Sequence, residues 1–85
     1  MKTFEYLIHD EYGIHARPAG QLVKLAGSFH SRILVQKAEK QVDAKRLLAV
    51  MGLCAKKGDS VAVTADGGDE AEAIQALKQF FAAHL

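Results

Sequence analysis

The hydrophobic positions change period along the chain, and each change marks an element. From Thr3 to His9, Phe4, Tyr6 and Ile8 recur every second residue, the period of a half-buried strand, with Leu7 on the opposite face. Asp10 to Gly13 reads as a loop. Ala19, Leu22, Val23 and Ala26 then fall at i, i+3, i+4 and i+7, predicting an amphipathic helix that Gly27 stops. Ile33 and Val35 predict a second strand, Lys37 to Lys40 a polar turn, and Gln41 to Asp43 a short return strand. A short helix beginning at Asp43 or Ala44 and ending at Gly52 carries Leu47, Leu48, Val50 and Met51, more apolar surface than so small an element needs for packing. One of Leu47 and Leu48 is expected in the core. After a turn at Lys56-Lys57-Gly58-Asp59, Val61, Val63 and Ala65 alternate in a last strand. Asp69 and Glu72 form a helix-start pair resembling a capping box, followed by Ala73, Ile74, Leu77, Phe80 and Phe81 at helical spacing.

The order β-α-β-β-α-β-α predicts an α+β fold, because each amphipathic helix must bury its stripe against a sheet. The expected architecture is an open-faced β-sandwich, a four-stranded antiparallel or mixed sheet with three helices on one face. A right-handed crossover through the first helix makes the first two strands parallel, leaving a slot in which the last strand runs antiparallel to both. No repeat or linker divides the chain, so residues 1–85 are expected to form a single domain.

Composition narrows the function classes. The formal net charge of +1 gives no global field toward nucleic acid or a membrane surface, and no apolar run approaches the ~20 residues of a membrane span. Met1-Lys2-Thr3 leads straight into a strand with acidic Glu5 and Asp10, so no signal-peptide core is expected and a cytoplasmic location is. Cys54 is the only cysteine, which excludes an internal disulfide; it is expected to be a partly buried hydrophobe. His9, His30 and His84 have no ligand spacing, so no metal and no cofactor are expected. These three histidines read as surface or partly buried groups. The strands also lack the basic and aromatic run of an RNA-binding sheet.

The chemistry concentrates in Gly13-Ile14-His15-Ala16-Arg17-Pro18-Ala19. Proline costs ~3 kcal/mol inside a helix but nothing comparable in its first turn, so Pro18 places the helix start near His15. A helix start presents unpaired amides and about half a positive charge, which together favour an anion. The Ala16 and Arg17 amides would point toward anything bonded to the His15 ring, and Arg17 adds a permanently charged fork. An imidazole, with a reference pKa of about 6.5, keeps a free lone pair at neutral pH and can attack phosphorus. Ser, Thr, Asp or Asn would cap this helix better by about 0.5–2 kcal/mol, so stability alone does not favour histidine there. A lone histidine at a loop–helix junction is as readily a surface residue as a nucleophile, and geometry alone leaves both readings open.

The histidine segment, the length and the element order resemble the HPr family, the histidine-containing phosphocarriers of the bacterial phosphoenolpyruvate-dependent sugar phosphotransferase system. Further matches are Asp43-Ala44-Lys45, Val50-Met51-Gly52-Leu53 and Gly58-Asp59-Ser60-Val61, and the resemblance runs from Met1 to Leu85. It implies that enzyme I, charged from phosphoenolpyruvate, phosphorylates His15 on Nδ1, and that His15 passes the group to sugar-specific IIA components. Such a chain is a carrier with a phosphohistidine intermediate rather than an independent small-molecule enzyme, and is expected to be a monomer. Arg17 would steady the phosphoryl group. The resemblance also implies a docking face along the first helix, Gly20, Val23, Lys24 and Gly27, and across the short helix, Arg46, Leu47, Leu48 and Met51. Lys24, Lys45 and Arg46 would steer acidic partners. Two positions depart from the family pattern. Arg46 stands where many members from Gram-positive bacteria carry a regulatory serine, so serine-type phosphorylation is expected to be absent. Tyr12 replaces a small polar residue. The alternative is an HPr-like regulatory module whose His15 phosphorylation state controls a partner protein.

Overall fold

The computed structural model describes residues Met1–Leu85. Its elements are β1 (Lys2–Leu7), α1 (Ala16–Gly27), β2 (Arg32–Lys37), β3 (Lys40–Asp43), α2 (Leu47–Gly52), β4 (Ser60–Asp66) and α3 (Glu70–His84). The strand order is β1-β4-β2-β3 with every neighbouring pair antiparallel, so β4 fills the slot between β1 and β2 as the crossover argument requires. The sheet is therefore antiparallel rather than mixed. Phe4 faces Val63, and Val63 in turn faces Val35, so one row of side chains crosses three strands into the core. That core continues through Leu22 and Ala26 of α1, Val50 of α2, and Leu77 and Phe81 of α3. Phe81 takes Phe4 and Tyr6 edge-on, at 5.6 and 5.4 Å between ring centres, which locks α3 over β1.

Five expectations are corrected. The middle helix begins at Leu47 rather than at Asp43 or Ala44, because the Asp43 side chain accepts the Lys45 amide and its carbonyl accepts the Arg46 amide, making a side-chain-closed turn where helix was expected. In that turn Lys45 is half-buried and its ammonium donates to the Phe29 carbonyl at 2.7 Å, so it ties α2 to the end of α1 rather than steering partners. The Asp69–Glu72 capping box is absent. Asp69 sits at the α3 cap without capping it; its carboxylate accepts the His30 amide and both the amide and the hydroxyl of Ser31, across the fold. Glu70 accepts the Gly67 amide instead. Neither Leu47 nor Leu48 belongs to the core: Val50 is the buried residue of α2. Cys54 is exposed, with φ at +53°, in the segment that follows α2.

Candidate functional site

The site is set by the loop between β1 and α1, which is pinned from two directions. The Ile14 amide donates to the Ala55 carbonyl at 2.9 Å, and the His9 and Asp10 amides both donate to the main-chain oxygen of buried Leu85. Gly13 is required at this crossing. Its φ is +66°, and a Cβ there would run into the Ala55 carbonyl and the Lys56 backbone. The loop thus enters α1 at a fixed angle.

His15 is the α1 cap residue, with extended backbone (φ −89°, ψ −175°) and no side-chain hydrogen bond to the helix. Its carbonyl closes the first turn by accepting the Ala19 amide at 2.9 Å. The Ala16 and Arg17 amides have no acceptor in the fold, Pro18 has no donor, and the first turn carries no acidic residue. The His15 side chain is 44 % exposed. With Arg17, Pro18, Gln21 and His84 it lines an open hollow of about 210 Å³. Asp10 approaches the ring from the other edge, with Oδ2 3.7 Å from His15 Nε2, and Tyr12 packs edge-on to it at 5.8 Å. The imidazole thus stands at a helix start with two unpaired amides, and Arg17 lines the same hollow.

The structure brings together His15, Arg17 and the two amides that the sequence singles out, and it adds Asp10 and His84, which the sequence does not place there. His84 is exposed, as expected, but it is not remote: α3 packs against α1 and brings it to the His15 hollow, tilted against Phe80 at 4.7 Å between ring centres. No spacing rule links residues 15 and 84. Asp10 has a local signal, since an Asp two residues before an amide in a glycine-containing loop commonly closes an Asx turn; here Oδ2 accepts the Tyr12 amide at 3.0 Å.

The neighbouring surface is α1 and α2 side by side. Lys24 and Gly27 are exposed and Gly20 half-exposed, and a Cβ at either glycine would meet open space, so the fold itself does not require small residues there. Val23 mainly packs against the core. Arg46 is exposed at the α2 cap; Leu47, Leu48 and Met51 stand in solvent at 42, 83 and 37 % exposure. No group of three or more His, Cys, Asp or Glu side chains is placed to hold a metal ion, and no helix is long and apolar enough to cross a membrane.

The chain matches the sequence model of PTS-HPr, the "PTS HPr component phosphorylation site", over residues 2–83. It is 46 % identical over 77 residues to the phosphocarrier protein HPr of Lysinibacillus sphaericus, covering 91 % of this chain and 88 % of the relative. The crystal structure of an HPr from Thermoanaerobacter tengcongensis superposes with a TM-score of 0.93 at 40 % identity, covering 98 % of this chain and 93 % of that one. Crh, a Bacillus subtilis catabolite repression protein solved as a domain-swapped dimer, is a more distant neighbour. Its TM-score is 0.79 at 30 % identity, over all of this chain and 98 % of that one. With the model matched along nearly its whole length and the same strand order and helix start in place, the chain belongs to the HPr family of the phosphotransferase system.

Proposed function

We propose that the 85-residue chain works as a cytoplasmic phosphoryl relay in bacterial sugar uptake, accepting the group on His15 Nδ1 from enzyme I and handing it to sugar-specific IIA components. The observation that carries this reading is the bare helix start: a half-exposed imidazole on the α1 cap residue, followed by the unpaired Ala16 and Arg17 amides. In the forward step the Nδ1 lone pair forms a bond to phosphorus as the bond to the donor imidazole breaks, and the donor ring, protonated on its other nitrogen, leaves as a neutral imidazole that keeps the electron pair of the broken bond. Return of the group to an acceptor histidine is the same step reversed. Neither step consumes water, a metal or a cofactor.

Arg17 and the two amides would hold the equatorial oxygens. Hydrogen bonds to charged groups contribute about 1.5–3 kcal/mol each, enough to orient a phosphoryl group while remaining few enough to release it. Alignment of donor, phosphorus and acceptor supplies most of the rest. The Gly20–Lys24–Gly27 face of α1 and the Arg46–Leu47–Leu48–Met51 face of α2 would receive successive partners, with apolar side chains at the centre and lysine and arginine at the rim. Partners that must leave call for a small interface, at or below about 1,200 Å² in total. In this reading the working form is a monomer. Arg46 offers no hydroxyl to a serine kinase.

Incubation with phosphoenolpyruvate and enzyme I should add one acid-labile phosphoryl group by intact mass, and His15→Ala should abolish it. A wild type that gains nothing, or an alanine variant labelled equally, removes the relay reading. The alternative use of the same patch is control of a partner protein by the phosphorylation state of His15; the neighbour Crh is a protein of catabolite repression, which keeps a regulatory use of this fold in view.

A further inference from the structure

We propose that Asp10 is a positioning residue for the phosphoryl-accepting imidazole: it holds the His15 proton on Nε2, so that Nδ1 presents its lone pair, and it faces the positive charge that the ring acquires on phosphorylation. The proposal rests on the relay reading above and concerns which nitrogen reacts and how easily the group leaves. The two imidazole tautomers differ only in which nitrogen bears the hydrogen, and a carboxylate beside one nitrogen selects the tautomer protonated there. Asp10 Oδ2 stands 3.7 Å from Nε2, the nitrogen that the proposal leaves unphosphorylated. A small ring rotation converts that separation into a hydrogen bond.

The carboxylate is held where it can do this. Its Oδ2 accepts the Tyr12 amide, and the Asp10 backbone amide is bonded to the Leu85 main-chain oxygen at 2.7 Å, so side chain and main chain are both fixed. The side chain is 33 % exposed, and Tyr12 covers the ring edge-on. Attack by Nδ1 while Nε2 keeps its proton leaves the ring as a phosphorylated imidazolium. The positive charge of that species faces Asp10, while the phosphoryl oxygens lie on the opposite side with Arg17 and the amides. Atoms balance without any proton moving during transfer to His15: the N–P bond forms, the donor's N–P bond breaks, and the Nε2 proton stays. A ring kept protonated at Nε2 is also the better leaving group, because a P–N bond breaks readily only when the departing imidazole is not an anion. Asp10 thus keeps the load transferable.

The substitution that isolates charge is Asp10→Asn, since asparagine closes the same turn with Tyr12 but carries no negative charge. Long-range ¹H–¹⁵N spectra of the His15 ring report the tautomer ratio directly, a signature that a purely structural role would not move. The Nε2–H form should dominate in wild type, and its ratio to the other tautomer should fall roughly two- to fivefold in Asp10→Asn, the range typical of a half-exposed ion pair. After loading with enzyme I and phosphoenolpyruvate, the variant's phosphohistidine should persist two to five times longer at neutral pH and transfer correspondingly more slowly, while unchanged amide spectra report an intact loop. An unchanged tautomer ratio together with an unchanged phosphohistidine lifetime overturns the role of Asp10 and leaves the relay intact; failure of wild type to load overturns both.

Discussion

The first and third helices begin in opposite ways. At the start of α3 the polar groups are spoken for: Asp69 binds the His30–Ser31 backbone and the Ser31 hydroxyl, Glu70 takes the Gly67 amide, and Glu70 and Glu72 lay negative charge on the first turn. At the start of α1 nothing is taken. His15 caps poorly, no acidic residue stands in the first turn, and two amides face solvent beside Arg17. A helix start satisfied by its own chain contributes to stability, whereas one left unsatisfied contributes an attraction that only a visiting anion can fulfil.

The sharpest way to break this contrast is to give α1 the kind of start that α3 has. His15→Asp places a good cap and a negative charge on the bare amides; it should stabilise the fold by about 0.5–2 kcal/mol in denaturant titration while eliminating phosphorylation entirely. A variant that unfolds more easily than wild type would show that the α1 start is not the unsatisfied end described. Next in size is Gly13→Ala. The left-handed backbone alone costs about 1–3 kcal/mol for a residue with a Cβ, and the encounter with the Ala55 carbonyl adds to it, so both unfolding midpoint and rate of phosphoryl uptake should drop. Uptake at the wild-type rate would mean that the loop does not position His15.

The smallest effect on transfer belongs to Asp69→Asn, which should leave phosphoryl uptake unchanged and alter only stability. The Ser31 hydroxyl, and then the His30 amide, hold the Asp69 carboxyl at about 2, below its usual 3.8. A lowered native pKa adds stability that is complete above the unfolded value and disappears as the pH falls through the native one. Wild type should therefore be the more stable protein at pH 7, and acid unfolding curves of the two should converge between about pH 4 and pH 2. Parallel curves across that window would assign the carboxylate no part in holding the α1–β2 connection.

Much of this was legible in the chain. Alternation in Phe4-Tyr6-Ile8 and Val61-Val63-Ala65 encodes strands, the Ala19-Leu22-Val23-Ala26 spacing encodes α1, and Pro18 locates its first turn, because these signals are local and periodic. What failed was long-range. Asp69 looks like a cap from its immediate neighbours, yet its partners lie 38 and 39 residues away. Asp43 forms a turn because its side chain competes with helical hydrogen bonding, so α2 starts four residues after it. His84 joins the hollow only through the packing of α3 on α1, which no motif spacing announces. The exposure of both Leu47 and Leu48 likewise depends on which face of α2 the sheet covers.

The strand order has a consequence for how the molecule is made. β1 pairs only with β4, some sixty residues later in the chain, and the His15 loop hangs on the main-chain oxygens of Ala55 and Leu85. During synthesis His15 emerges early, but the contacts that aim it form late, since long-range pairing waits for the distant partner to arrive. A partly translated chain therefore has the His15 imidazole without its setting, and the loop takes its fixed angle only after β4 has followed it.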